Sequence, residues 1–553
     1  MKGSGTRTNA LWGKGRKRYS LLLALAVLTV AVTAGASTSP VSAAGKKPFV
    51  PKDLKDKAKD NPAGTIPVII QTVDRSGLDE LQNAVDNAQK KHPGKAKGVK
   101  NKFDKLPVIV ADVTGDQLDE LSSDPNVTAI TEDSDIHATG YGNPQAWAGT
   151  VGPAWGPLPR GAANPPTIAI VDSGVQGRSD FGGRLVKQFN FSAGTVTSNG
   201  GEDGFGHGTL VAGLAVGGSD GFSGSEPRGK VVSLDVLDST GNGKVSDVLA
   251  ACDWILKNAA QYNIKVANFS INAGSGNGIT NDPLNKAVEK LWLNGIVVVA
   301  AAGNYAQNGA ESGVGFAPAN DPFVITVGAS DTNNTATSSD DFAAPWSAWG
   351  FTQDGFRKPE IAAPGRVMNG PTPKNGYLYV NFPSRKVGDG YMWMSGTSFA
   401  APVVAGAAAT VLSRHPDWTP DQVKGALMVS ADVPAGYNSL GAMGVGILDV
   451  PGATSADGTA NPNAGLNRFV GTDSTSGLKT FDASGWAAAV TADPAWGAAS
   501  WSSASWSSAS WSSASWSSAS WSSASWSSAS WSSASWSSAS WSSASWASNF
   551  SAE

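Results

Sequence analysis

Between residues 167 and 429, short apolar runs alternate with helical patterns, and this alternation constrains the fold more than any other feature of the chain. The apolar runs lie at 167–171, 231–237, 265–270, 296–302 and 323–327. Helical patterns fall near 209–216, at Val245–Tyr262 and Pro283–Leu293, near 398–413, and at Pro420–Val429. Strands joined through helices pair in parallel, and the helices then cover both faces of the sheet. The expected class is therefore α/β, with a mostly parallel sheet and helices on both faces. Ligands of such sheets bind beyond the carboxyl ends of the strands. The last helix is well marked, since Thr419-Pro-Asp-Gln422 supplies a cap followed by proline at the first helical position.

Four residues stand where that sheet would present chemistry. Thr167-Ile-Ala-Ile-Val-Asp172 is an apolar strand ending in a carboxylate, and Gly206-His-Gly-Thr-Leu-Val-Ala-Gly213 sets His207 among glycines at a helix start. Gly396-Thr-Ser398 opens a run of Ala, Val and Gly that reads as a buried helix, whose first turn carries unpaired N–H groups and partial positive charge. Ile296-Val-Val-Val-Ala-Ala-Ala-Gly-Asn304 is a buried strand running into an amide. Singly, each has a plain structural reading: a strand-end turn, a histidine in a helix terminus, an N-cap serine. Taken together, Asp172 could orient His207, and His207 could take the proton of Ser398 and return it to a leaving group. The chain has four histidines, which makes the placement of His207 informative.

Asp172, His207 and Ser398, in that order and in those flanking sequences, resemble the subtilisin family of serine peptidases, and the order separates them from other serine hydrolases. The resemblance covers roughly 166–450. It implies that Asn304 donates to an oxyanion beside the backbone N–H of Ser398. It also implies that Gly241-Asn242-Gly243 and Ser270-Ile271-Asn272 flank an extended peptide substrate. Where the family has Ser-Leu-Gly-Gly, this chain has Ser270-Ile-Asn-Ala273, so an Asn beside the specificity pocket could narrow its entrance. Tyr305 and the lack of an acidic residue beside it argue for an apolar or aromatic residue before the cut bond. No cofactor is required for the chemistry. Structural calcium is compatible with carboxylates such as Asp180, Asp203 and Asp220, although no spacing resembles a calcium loop and a solvated surface is the plainer expectation.

The remaining segments differ in composition. Residues 1–44 carry a basic start, a short apolar run and small residues, the pattern of a secretory signal peptide cut near Ala43 or Ala44; the product is expected to be secreted. Residues 45–139 show strands at Ile66–Gln71, 107–113 and 127–131, with helices at 77–90 and Gly115–Leu121. This resembles a subtilisin prodomain, which implies a folding template and intramolecular inhibitor whose last residues lie in the cleft. Its Lys- and Gly-rich loop 90–105 is expected to be mobile, and 136–166 to form the processing linker. The catalytic domain is read as 140–455 and a linker as 456–495. Residues 496–553 form a tail with nine copies of Trp-Ser-Ser-Ala-Ser. A five-residue period advances ~140° per repeat on a helix, so it gives no tryptophan stripe; a low-complexity tail suited to cell-wall or surface contact is expected. Cys252, the single cysteine, excludes an intrachain disulfide and reads as a buried thiol. The net charge of −4 gives no reason to invoke nucleic acid. The competing reading is a surface adhesion or structural protein in which the repeat tail does the work.

Overall fold

The computed structural model describes residues 48–138, 165–192, 203–219, 222–274, 276–333, 335, 337–437 and 441–492. The expected signal peptide, the repeat tail and residues 139–164 of the processing linker lie outside them. Among the described residues no helix is long and apolar enough to cross a membrane.

The central sheet runs Leu185–Asn190, Lys230–Asp235, Thr167–Asp172, Ile264–Phe269, Val297–Ala301, Ile325–Asp331, all neighbours parallel. Ile361–Pro364 pairs with the last of these in parallel and Phe342–Ala343 antiparallel. Every residue of Thr167–Asp172 and Val297–Ala301 is buried, as strands covered on both sides require. The helix Thr397–Arg414 lies against strands 264–269, 297–301 and 325–331 and against the helix His207–Val216. Its small residues permit that approach: a Cβ on Gly406 would sit 2.0 Å from Ser225 Oγ and 2.6 Å from the carbonyl of Ala215. The helices Val245–Tyr262 and Pro283–Leu293 pack on each other and on strands of the same sheet. Asp282 starts the second by accepting from the N–H of Leu284 (2.8 Å) and Asn285 (3.1 Å) ahead of Pro283. The α/β architecture with a mostly parallel sheet is thus the one the alternation demands.

Residues 48–138 form an α+β unit with an antiparallel sheet ordered Gly98–Lys102, Val108–Val113, Ile66–Gln71, Ala129–Glu132. The two faces of this sheet divide by strand alternation. Val68, Ile70, Ile109 and Val113 pack with Leu54, Leu81, Val85 and Leu118 of its own helices. Ile69, Val108 and Val110 join the core of the larger domain. Gln71 clasps the start of helix Pro283–Leu293, donating to the carbonyl of Asn281 (2.7 Å) and accepting from Lys286 (2.7 Å). Asp133 accepts from the N–H (2.8 Å) and hydroxyl (2.7 Å) of Ser246 in the first turn of Val245–Tyr262.

Two expectations are corrected. The loop 90–105, expected to be mobile, contains the strand Gly98–Lys102 with Phe103 and Leu106 buried behind it, and the N–H of Lys105 bonds Asp253 (2.6 Å). Its lysines point outward while two apolar residues anchor it, which composition averaged over the loop conceals. The stretch 456–495 is not a linker over its described part, 456–492. A hairpin of Val470–Thr472 and Lys479–Phe481 and a helix Ala483–Ala492 follow the catalytic core. Phe481 meets Phe323 edge-on (5.0 Å) and Trp486 stacks on Phe356 (5.1 Å). Asn463 and Asn467 donate to Asp421 (2.8 and 2.6 Å). The segment has few apolar residues of its own because its partner surface belongs to the larger domain.

Candidate active site

Asp172 ends one strand and Asn304 follows the end of another in the same sheet, with Ile264–Phe269 between the two, while His207 and Ser398 lie in the first turns of two helices packed side by side. Asp172 is fully buried, accepts from the N–H of Ser173 (2.8 Å) and lies 2.7 Å from Nδ1 of His207. A carboxylate at that nitrogen fixes the tautomer with the proton on Nδ1, so Nε2 carries the lone pair. Nε2 is buried with no hydrogen-bond partner among the described residues. The ring stands 5.0 Å from Phe399, the residue after Ser398. Gly208 must be glycine for this approach, since a Cβ there would lie 2.1 Å from the carbonyl of Gly174.

Ser398 is held by an exchange with Ser270. Pro402, four residues on, has no N–H to give the Ser398 carbonyl, and the hydroxyl of Ser270 donates to it instead (2.7 Å). The Ser398 hydroxyl in turn donates to the carbonyl of Ser270 (3.1 Å). Asn304 is oriented by Thr397, whose N–H (2.8 Å) and hydroxyl (3.0 Å) both donate to its side-chain oxygen. The amide nitrogen is therefore turned the other way, and it is buried with no partner among the described residues. A donor fixed in advance and left unpaired is what stabilisation of a developing oxyanion requires.

The two expected substrate-flanking segments lie on either side of one strand. Asp135–Ala138 pairs antiparallel with Ile271–Ala273 on one edge, with His137 opposite Asn272, and with Asn242–Lys244 on the other, with Ile136 opposite Gly243. Asn242, Gly243, Ile271 and Asn272 thus border a slot wide enough for one extended chain, with Gly241 and Ser270 next to them in sequence and Ser270 bonded to Ser398. The Asn272 amide, oriented so that its nitrogen donates to the carbonyls of Ile271 (3.0 Å) and Ala301 (3.3 Å), is tied to the sheet backbone. Tyr305 packs edge-on to Phe316 (5.5 Å) and accepts from the N–H of Gly315 (3.3 Å).

Two of the carboxylates considered for calcium are buried, not solvated, and hydrogen donors already fill them. Asp180 accepts from Arg178 (3.0 Å), Ser219 (2.7 Å) and Tyr391. Asp203 accepts from four donors in the loops around His207. Asp220 lies outside the described residues. With their oxygens already taken by these donors, Asp180 and Asp203 do not fit a calcium ion. Cys252 is buried, and burial pushes its thiol pKa upward, away from reactivity.

Some neighbours of the site carry no sequence signal. Phe205 stacks on Tyr377 (5.8 Å) and stands 6.2 Å from the His207 ring. The helix Tyr377–Asn381 is fastened there by the N–H groups of Tyr377 and Leu378 to the carbonyls of Gly204 (2.9 Å) and Phe205 (3.0 Å). Asp235, in register with Asp172 on the next strand, has its pKa pushed up to about 8 by burial and then by the charge of Asp203.

Comparison with known proteins agrees with this geometry. The Subtilase family profile matches residues 164–472. The chain is 36% identical over 282 residues to the serine protease AprX of Bacillus subtilis (strain 168), covering 48% of this chain and 61% of that one. It is 32% identical over 360 residues to subtilisin E of the same organism, covering 64% and 84%. Among solved structures it resembles fervidolysin from Fervidobacterium pennivorans, described as a keratinolytic enzyme related to subtilisin. That match has a TM-score of 0.57 and 22% identity, and it covers 74% of this chain and 63% of the other. With more than half of its length matched by the family and 84% of a subtilisin's length covered, the chain belongs to the subtilase family and is a subtilisin-like serine endopeptidase.

Proposed function

We propose that this endopeptidase is made with a signal peptide (1–44), secreted, and held inactive by an N-terminal prodomain (45–139) until it cuts itself. In this reading Ser398 attacks the peptide carbonyl and His207 Nε2 takes its proton. Asp172 stabilises the imidazolium, and Asn304 with the Ser398 N–H binds the oxyanion. The imidazolium then protonates the leaving amine, and water releases the acyl group by the same steps. Gly241–Gly243 and Ser270–Asn272 hold polypeptide substrates as an added strand, with an apolar or aromatic residue before the cut bond. The observation that carries the reading is the pairing of Asp135–Ala138 between Asn242–Lys244 and Ile271–Ala273: a segment of the chain itself lies where a substrate would lie, next to Ser398. The tail 496–553 is read as a surface or cell-wall contact.

The test compares the secreted product of the wild-type chain with that of Ser398→Ala. N-terminal sequencing should find the wild type cut shortly after Ala138 and the variant uncut and inactive on casein. His207→Ala should likewise lose turnover. A Ser398→Ala chain that matures or digests casein as wild type does would refute the assignment.

A further inference from the structure

Asp203 lies outside the triad, yet its carboxylate touches both segments that carry it. One oxygen accepts from the hydroxyl of Ser173 (2.8 Å) and the N–H of Gly206 (2.6 Å). The other accepts from the N–H (2.8 Å) and hydroxyl (2.7 Å) of Thr209. Ser173 gives its N–H to Asp172 and its hydroxyl oxygen to the N–H of Gly208 (2.9 Å), while the Thr209 hydroxyl accepts from the N–H of Gln176 (2.9 Å). Two hydroxyls therefore bridge the turn after Asp172 to the first turn around His207, and both donate to this one carboxylate. Asp203 is 1% exposed, so no water substitutes for it.

We infer that Asp203 is a positioning residue of the reaction: an anionic strut that sets Asp172 and His207 at their mutual distance. The inference rests on the triad reading. A neutral or shorter side chain leaves buried donors facing each other, and the strand end and helix start then part by a fraction of an ångström, which the 2.7 Å contact of Asp172 with His207 would not survive unchanged. The charged group facing Asp203 is Asp235, whose own carboxyl is raised in part by the charge of Asp203, and Asp172 is reached through the hydroxyl and N–H of Ser173. Burial raises the carboxyl of Asp203 to about 6 against the pull of its four donors, so acidification weakens the strut in the range where an ordinary imidazole also titrates.

The experiment measures kcat, KM and the pH dependence of kcat/KM for the mature enzyme on a short peptide, with circular dichroism as the check on folding. Asp203→Asn should lower kcat by about tenfold or more with KM changed less than about twofold, since the loss is of alignment in the transition state. Removing a carboxyl that takes up its proton at about 6 should also move the acid limb of kcat/KM to lower pH. Thr209→Val should lower kcat and Thr209→Ser should restore it, because serine keeps both donors; this pair decides the matter if Asp203→Asn fails to fold. A folded Asp203→Asn enzyme with wild-type kcat and acid limb, or Thr209→Val and Thr209→Ser equal in kcat, would overturn the inference. Activity retained by a Ser398→Ala control would overturn the triad reading instead.

Discussion

Replacing Asp133 by Ala removes one carboxylate from the docking of residues 48–138 onto the larger domain, and its cost can be worked from two bonds. Asp133 accepts from the N–H and hydroxyl of Ser246, at 2.8 and 2.7 Å, in the first turn of Val245–Tyr262. The neighbouring N–H of Val245 goes to the carbonyl of Ser134 (3.0 Å), so the helix start is capped by the other domain. Asp133 is 5% exposed, so alanine leaves the Ser246 donors unmet inside the interface. An unsatisfied buried donor costs about 1–3 kcal/mol. Burial of the carboxylate itself is unfavourable and raises its pKa, which offsets part of what is lost. A net loss of about 2 kcal/mol corresponds to roughly 30-fold weaker binding. The assay is the inhibition constant of separately produced 46–139 segments against the mature enzyme. Asp133→Ala should raise it about 30-fold and Asp133→Asn, which keeps an acceptor, by less; Glu120→Ala, on the exposed side with its partner Lys91, should leave it unchanged. A change below about threefold for Asp133→Ala, or an equal change for Glu120→Ala, would refute the capping argument.

Inhibition should also depend on pH. Asp247, in the same helix turn, is pushed up to about 7 by burial and then by the charge of Asp133. A carboxyl raised in the complex holds its proton there and releases it on separation, so this contribution is present at low pH and is lost as pH rises from the ordinary carboxylate range of about 4 through about 7. The segment should therefore bind more tightly at pH 5 than at pH 8. Asp247→Asn should flatten the slope, and a pH-independent constant in the unaltered pair would exclude it. Asn304→Leu should lower kcat about 100- to 1000-fold with little change in KM, because the amide bonds the oxyanion and not the ground state. A rise in KM with kcat held would make it a binding residue instead. Trp486→Ala should cost about 3 kcal/mol in thermal or denaturant unfolding, whereas a chain cut after Ala492 should unfold as the full chain does. Equal stability of the Trp486→Ala chain would mean that 456–492 adds nothing to the catalytic fold.

The elements found at Val245–Tyr262, Pro283–Leu293 and Pro420–Val429 have the expected boundaries, the first from its periodicity and the other two because the capping residue, the proline after it and the apolar stripe lie within a few residues of one another. The same locality makes the four chemical motifs legible, since a strand ending in Asp172 and a helix opening on Ser398 are local events. What failed was wherever burial is supplied from far along the chain. The loop 90–105 reads as mobile until the core of the larger domain covers Phe103 and Asp253 takes the N–H of Lys105. Residues 456–492 read as a linker until Phe323 and Phe356 cover Phe481 and Trp486.

Charged groups make the contrast sharpest. Lys424, in the helix Pro420–Val429, is fully buried, its ammonium donating to the carbonyls of Pro322 (2.8 Å), Phe323 (3.1 Å) and Val324 (3.1 Å) and to Glu360 (2.9 Å). Burial lowers its pKa to about 8. Asp203 resembled a surface carboxylate and is a buried acceptor of four donors. By itself the sequence determined the fold class and the alternation of the main strands and helices between 167 and 429, and it singled out Asp172, His207, Asn304 and Ser398 as candidates, because each depends on periodicity and residue type within one segment. Only the tertiary structure decided which loops are buried and which carboxylates meet donors, because a polar group's burial, and so its charge state and its role, is fixed by how distant segments close over it.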